Sequence, residues 1–424
     1  MRILFLTDNF PPEVNAPASR TFEHCREWVR LGHQVTVITG APNFPRGQLF
    51  EGYRNRLWSR EEMAGIQVVR VWTYITANEG FLRRTLDYVS FMVSAILGSV
   101  FVGRADVIVA TSPQLFTPCA AFVVSLMRLK PYVFELRDLW PASIKAVGAM
   151  KSSRVLDWLE QLELFLYRHA AHIVSVTNSF REDLVHRGIP AAKISVVTNG
   201  VDLSRFQPRP RDLPLALQLG LEGKLVLGYV GTHGMAHGLS TLLRAAEQLR
   251  DHPEAHQVAF VFLGDGAEKP ALKAESAARG LTNVQFLDSV SRDEVVRFWS
   301  LIDIAVIHLR SDPLFHSVIP SKLFECMAMG IPVLHGVAGE SADIVRNEDV
   351  GLPFGSEDAD ALVAGILELA RNPARRSELS RHGIAAARRY ERSSLARVMV
   401  DTLSQVAEAR SGSPAAAPDR QDVE

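Results

Sequence analysis

At 424 residues the chain is too long for one ordinary hydrophobic core and long enough for two. Its 46 Lys plus Arg nearly balance 47 Asp plus Glu, which excludes a global basic surface for nucleic acid and leaves any charged site local. The three cysteines, Cys25, Cys119 and Cys326, stand outside C-x-x-C spacing, so neither a disulfide framework nor a zinc cluster is expected and the compartment reads as reducing cytoplasm.

In chain order, Met1 to Asp8 is a short apolar run ending in a polar loop, a first buried strand and not a signal peptide. Apolar runs then recur at Ile3 to Leu6, Gln34 to Thr39, Val68 to Val71, Val107 to Ala110, Tyr132 to Leu136, His172 to Val176 and Ile194 to Val197. Helical stretches separate them, the pattern of a parallel α/β sheet. Sixteen uncharged residues lie between Asp87 and Arg104, fewer than the ~20 a spanning helix needs. In the stretch Phe81 to Arg104, Arg83 and Arg84 precede an apolar helix with two readings. Its Phe91, Met92, Ala95, Ile96 and Val100 either insert shallowly into an anionic membrane surface or pack against the first sheet.

The linker 202–218 carries Pro208, Pro210 and Pro214 among charges and ends the first globule. A second strand series follows: Leu225 to Val230, Val258 to Leu263, Val284 to Leu287, Ile304 to His308 and Pro332 to His335. Four segments are expected: a first domain over 1–205, a second domain over 206–390, a helix over 391–409 packing back on the first domain, and a disordered tail over 410–424.

Four places carry chemistry. From Pro320 to Val333, Ser321 can cap a helix closed by Gly330 and Pro332. Helical spacing puts Lys322, Glu325 and Met329 on one face and leaves Leu323, Cys326 and Met327 for the core. A cation and a carboxylate at a helix start suit a ligand with phosphate and a ribose diol, the alternative being an ordinary surface pair. After Leu225 to Val230, the turn Gly231-Thr232-His233-Gly234-Met235-Ala236-His237-Gly238 lets backbone amides approach a pyrophosphate, with His233 and His237 supplying hydrogen bonds or charge. The bland reading is a plain strand-to-helix turn. The first turn, Asp8 to Pro17, leads into a helix from Ala18 to Leu31, and Asn15 to Arg20 either touch ligand or belong to a solvated loop. Past Tyr132 to Leu136, Arg137-Asp138-Leu139-Trp140-Pro141 offers Asp138 to hydroxyls and Arg137 to phosphate, or else an Asp cap with its Arg partner.

Ile194-Ser195-Val196-Val197-Thr198-Asn199-Gly200-Val201-Asp202, with Ser179-Phe180-Arg181 and Gly188-Ile189-Pro190 before it, resembles the N-G-V-D signature of glycosyltransferase family 4. The likeness spans residue 1 to about 405. Pro11-Pro12-Glu13, Thr21-Phe22-Glu23 and Arg137 to Pro141 look most like its bacterial O-antigen and capsule transferases, including those for N-acetylfucosamine. The resemblance implies a GT-B fold, two facing Rossmann-like domains with an interdomain cleft, residues 1–205 on the acceptor side and 206–390 binding the nucleotide sugar, and places Asn199 beside that cleft. Glu325 matches the second glutamate of the family's E-x7-E motif, which holds the nucleotide ribose, while Ser317 stands where the first would be. The Arg and Lys that grip pyrophosphate in relatives are absent from the first loop and helix of the second domain, so Lys322 would compensate. Arg137-Asp138 replaces the His-Asp of many relatives.

The function implied is a retaining, metal-independent transfer from a nucleotide-sugar donor, UDP-linked, to a lipid-linked or glycan acceptor in surface polysaccharide assembly, without a cofactor. Asp138 and Arg137 are the expected catalytic pair, and the chain is expected in the cytoplasm, peripheral at the inner face of the membrane. Two rivals stay open: a nucleotide-sugar epimerase of the same fold, and a non-catalytic nucleotide-sugar-binding protein.

Overall fold

The computed structural model describes residues 1–44, 46–76, 81–140, 154–253, 257–291 and 293–411. The first half forms an eight-stranded sheet in the order β3-β4-β2-β1-β5-β6-β7-β8. Its strands are β1 Arg2–Leu6, β2 Gln34–Gly40, β3 Trp58–Met63, β4 Ile66–Val71, β5 Val107–Thr111, β6 Tyr132–Leu136, β7 His172–Ser175 and β8 Ile194–Val196. All neighbours run parallel except the β3–β4 hairpin, whose polar Trp58–Met63 offers no apolar run to read. The central strands β5 and β6 are buried along their whole length, as expected of strands covered by helices on both faces.

The second half is a six-stranded parallel sheet, order β11-β10-β9-β12-β13-β14. It is built from β9 Leu225–Val230, β10 Val258–Leu263, β11 Val284–Leu287, β12 Ile304–His308, β13 Val333–Gly336 and β14 Gly351–Pro353. In both sheets the strand order reverses beside the first strand, between β1 and β5 and between β9 and β12. Those switch points open crevices beyond the carboxyl ends of the strands, where open α/β sheets hold ligands.

The expected linker contains a short helix, Leu213–Gln218, and Val201 forms an isolated parallel bridge with Glu391. The last helix, Arg392–Ser411, lies on the helix Ala16–Arg30. There the Trp28 indole donates to the Ala396 carbonyl at 2.8 Å, and Met399, Val400 and Leu403 join the core of Ile3, Phe5 and Val37. Arg392 at its start is buried, paired with Glu23 and donating to the Gly200 carbonyl. A side chain at Gly200 would collide with the Tyr390 carbonyl at 2.3 Å, so this crossing tolerates only glycine. The helix extends past the expected boundary at 409, and residues 412–424 of the anticipated tail lie outside the described residues.

Among the described residues no helix is long and apolar enough to cross a membrane. The helix Phe81–Ser99 corrects the expected inserting face: Phe91 and Ala95 are fully buried, and Met92 and Ile96 pack on the first core. Its outward row is instead Leu82, Leu86, Val93 and Leu97, continued by Val100, the one member of the expected set that is exposed, and Phe101. Spacing of i, i+4, i+11 and i+15 puts the first four on one stripe.

Candidate functional site

The turn after β9 sits at the second switch point. Gly231 (φ 137°) and Gly238 (φ 55°) take backbone angles that side chains resist, and a Cβ at Gly231 would stand 2.9 Å from the Lys322 Nζ. Gly234 lies between them in extended backbone. The turn therefore keeps bare backbone against a cation. His233 does not join it: both ring nitrogens are shielded, and the ring packs beside Tyr229 and Phe262 at 5.8 and 6.2 Å. Burial, with Lys269 and Lys322 nearby, pushes the His233 imidazole down to about 4. His237 is half-buried and pushed down to about 3 by burial and then by Lys322, while its carbonyl accepts from the His308 Nδ1 at 2.6 Å. Both rings are neutral at pH 7, so the charge expected from them is absent, and His233 is packing.

Lys322 opens the helix Lys322–Met329. Ser321 occupies the cap position with helical dihedrals and no capping bond from its side chain, contrary to the sequence expectation, and the turn closes through Leu323 N to the Pro320 carbonyl at 3.0 Å. Met329 is buried with Leu323, Cys326 and Met327, so the charged face is Lys322 and Glu325 alone. The Lys322 Nζ is shielded and lies 4.0 Å from the Tyr229 ring centre. Among the described residues no hydrogen-bond acceptor reaches it. Burial pushes its ammonium down to about 8 against the opposing pull of Cys326 and Glu325. Glu325, one turn on, is half-buried, and its charge is felt by Arg392. Ser317 ends a short 3-10 turn and donates to the Leu314 carbonyl at 2.6 Å.

In the first half, Asn15 caps the helix Ala16–Arg30 by accepting from Ala18 N at 2.9 Å, and it donates to Asn9 at 2.6 Å. Arg20 is turned into the fold. It is buried, paired with Glu135 at 2.8 Å, and donates to the carbonyls of Thr198 at 2.7 Å and Val197 at 2.9 Å. It clamps its helix to β6 and to the strand end after β8, because a buried guanidinium must fill its donors. Ser112 Oγ at the end of β5 accepts from Arg137 N at 2.8 Å and Asp138 N at 3.3 Å. Among the described residues the buried Nε and NH1 of Arg137 have no hydrogen-bond acceptor, and burial, partly offset by Glu135, pushes that guanidinium down to about 10. Pro141 of that motif lies outside the described residues.

Polar contacts also join the two halves across the cleft. Asn199 Nδ2 donates to the Ile319 carbonyl at 3.4 Å, and Arg46 pairs with Asp265 at 3.1 Å. Glu340 accepts from Asn178 N, Asn178 Nδ2, Ser179 N and Ser179 Oγ at 2.9–3.1 Å, which joins its carboxylate to the first turn of the helix Asn178–His186. Sequence reasoning missed Glu340, whose partners are some 160 residues away. At the first switch point a cavity of about 340 Å³ is lined by Asp8, Glu13, Asn15, Asp87, Ser112 and Gln114, and Thr232 closes it from the other half. Thr232 follows Gly231, so the cavity adjoins the turn Gly231–Gly238.

Among the described residues, Asp349, Glu378 and His382 are the one group of three with metal-ligand atoms within 4.8 Å of one another. Arg375 already pairs with Asp349 at 2.5 Å and with Glu378 at 2.6 Å. Asp349 also precedes the edge strand β14, at the amino end of the sheet, whereas the turn follows the carboxyl end of β9.

Two doubly wound sheets with their switch points facing one cleft define the class of GT-B glycosyltransferases. The chain superposes on sucrose-phosphate synthase of Thermosynechococcus elongatus with a TM-score of 0.77 at 16% identity, over 96% of this chain and 99% of that one. On Anabaena HepE in complex with UDP-glucose the TM-score is 0.70 at 18% identity, over 96% and 100%. Family models for a glycosyl transferase 4-like domain and for glycosyl transferases group 1 match residues 15–200 and 218–388. The chain belongs to this family 4 group of glycosyltransferases and is an enzyme of that class, which sets aside the epimerase and the non-catalytic binder. It is 28% identical over 340 residues, 78% of this chain and 82% of the relative, to the putative colanic acid biosynthesis glycosyl transferase WcaI of Escherichia coli K12.

Proposed function

We propose that the enzyme transfers a sugar, with retention, from a UDP-sugar to a lipid-linked or glycan acceptor in surface polysaccharide assembly. The observation that carries the donor side is the Lys322 ammonium, shielded and, among the described residues, without a hydrogen-bond acceptor, against the open backbone of Gly231. A buried cation in that state is costly and calls for an anion, and a diphosphate on the turn Gly231–Gly238 would supply it. Glu325 then accepts from the ribose hydroxyls. In the transfer the bond from the sugar carbon to the diphosphate oxygen breaks and the bond to the acceptor oxygen forms. The acceptor proton passes to the departing diphosphate on the same face, and Lys322, the turn amides and the His237 N–H hold the developing charge. Arg137 and Asp138, fixed through Ser112 on the cavity wall, serve the reacting centre from the acceptor side. The names of WcaI and of the UDP-glucose complex of HepE support this assignment.

Among the described residues the donor side offers amides and the Lys322 cation and no carboxylate cluster of its own, so turnover is expected to survive excess EDTA. Nucleotide release from a panel of UDP- and GDP-sugars, with and without EDTA, checks both statements. Release confined to GDP-sugars would overturn the UDP assignment, and loss restored by magnesium or manganese would overturn the metal-free one.

We also propose that the enzyme works at the inner membrane face through the row Leu82, Leu86, Val93, Leu97, Val100 and Phe101. Leu82 is 71% and Phe101 67% exposed, with Arg83 and Arg104 exposed beside them. Apolar area flanked by arginines fits an anionic bilayer surface. Wild type is expected to float with phosphatidylglycerol liposomes at low salt, and Leu97→Glu with Arg83→Glu to stay at the bottom. Wild type that never floats would refute it.

A further inference from the structure

His308, the last residue of β12, is buried between the turn Gly231–Gly238, the end of β13 and the segment after β14. A Cβ at Gly238 would stand 3.2 Å from its Cε1 and one at Gly336 2.6 Å from its Cδ2, while the ring stacks on Phe354 with centres 5.9 Å apart. Both ring nitrogens are engaged. Glu357 N donates to Nε2 at 2.8 Å, and Nδ1 lies 2.6 Å from the His237 carbonyl. A backbone N–H only donates, so Nε2 is bare, and a carbonyl only accepts, so Nδ1 carries the proton. The contacts therefore impose one neutral tautomer. Glu357 is held in turn: its Oε2 accepts from Ser311 N at 2.9 Å and its carbonyl from Arg244 at 3.0 Å. Two residues past His308, Arg310 N donates to the Ala236 carbonyl at 2.9 Å. The end of β12 thus grips the turn at two successive carbonyls.

We propose that His308 is a positioning residue for the donor: the tautomer that Glu357 imposes holds the His237 carbonyl, and with it the shape of the turn that takes the diphosphate. It rests on the proposed donor position at that turn. In a planar trans peptide the C=O and the N–H point in opposite directions, so the bond from His308 to the His237 carbonyl also sets the direction of the Gly238 N–H. A proton on Nε2 sets two N–H groups against each other at Glu357, and the clamp opens. Burial pushes the His308 imidazole below the ordinary ~6.5, with the bond to His237 and the charge of Glu357 opposing and Arg244 adding. Also facing it are His237 in the turn and His335 on β13, both held down to about 3, and Arg310, which shares its contact with Gly238. The clamp is therefore closed at pH 7. It opens as pH falls below ~6.5 through the folded value, and donor affinity falls with it. Lys322, held near 8, bounds the same affinity on the alkaline side.

Nitrogen-15 NMR of the histidine rings and glycine amides tests this, together with titrations of UDP-glucose, whose esterified diphosphate does not itself titrate in this range. In wild type at pH 7 the His308 Nδ1 should be protonated and Nε2 bare. On acidification the Gly234 and Gly238 amide signals should move as His308 takes up its proton, and UDP-glucose affinity should fall in step. His308→Asn still offers an amide N–H to the turn but cannot titrate, so that shared acid-side fall should vanish. His308→Phe keeps a ring on Phe354 and loses both bonds, and should bind UDP-glucose roughly tenfold more weakly at pH 7. A proton on Nε2 at pH 7, glycine signals indifferent to the titration, or a folded His308→Phe with wild-type affinity would overturn the proposal. Should His308→Phe fail to fold, the wild-type titration against His308→Asn decides. Wild type that binds no UDP-glucose while its glycine signals follow His308 would instead sink the donor reading and leave the clamp standing.

Discussion

Lys322→Met is expected to cut turnover by roughly two to three orders of magnitude, the usual effect of removing one fixed donor from a developing anion, while raising the melting temperature of the unliganded protein. Both effects follow from one group. The buried ammonium is held near 8, whereas an unfolded lysine titrates at ~10.4. A difference of that size corresponds to about 3 kcal/mol against the folded state. The penalty is fully present below pH 8, where folded and unfolded chains both carry the proton. Between pH 8 and ~10.4 only the unfolded chain carries it, so stability rises with pH across that window. Methionine removes the penalty, fills similar volume and packs on Tyr229, so the variant should be flat there. Nucleotide binding has the opposite sign. A diphosphate favours the charged lysine, so UDP affinity of wild type should fall above pH 8, approaching tenfold per pH unit, and that of Lys322→Met should not. Thermal melts and UDP titrations from pH 7 to 10 read both. A variant that is less stable and equally active would place Lys322 in the fold and not at the phosphate.

The second half was legible because its signals are local. β9, β10, β11 and β12 coincide with their apolar runs, since parallel strands bounded by turns announce their own ends. Lys322, Glu325 and the glycine turn each belong to one short segment. What stayed hidden depends on pairs distant in sequence. Nothing near Arg20 shows that Glu135, 115 residues on, and two carbonyls beyond residue 196 consume its donors. Burial of His233 depends on Phe262 and Phe286 from neighbouring strands. The apolar helix Phe81–Ser99 had two candidate faces, and only the packing of Phe91 and Ala95 shows which one meets the core. The same limit hid Asp8 and Asp87, which the fold alone brings to one cavity.

Glu325→Ala is the second large effect. The carboxylate is half-buried on the first turn of the helix Lys322–Met329, between the ammonium of Lys322 and the charge of Arg392, which Glu23 and the Gly200 carbonyl hold in place. Both cations attract its negative charge, which suits an acceptor for a ribose diol. A hydrogen bond to a charged group contributes ~1.5–3 kcal/mol. Its loss therefore weakens nucleotide binding by roughly ten- to a hundred-and-fifty-fold. With Ser317 where relatives have their first glutamate, no second carboxylate of the motif stands in for it. Calorimetric titration of UDP into wild type and Glu325→Ala, both in excess EDTA, tests nucleotide binding at this helix most directly. One-to-one binding by wild type without metal, weakened by that factor in a variant that melts normally, is the expected result. Equal affinity in the two proteins, or wild-type binding that appears only after a divalent ion is restored, would contradict a metal-free donor site built on Lys322 and Glu325.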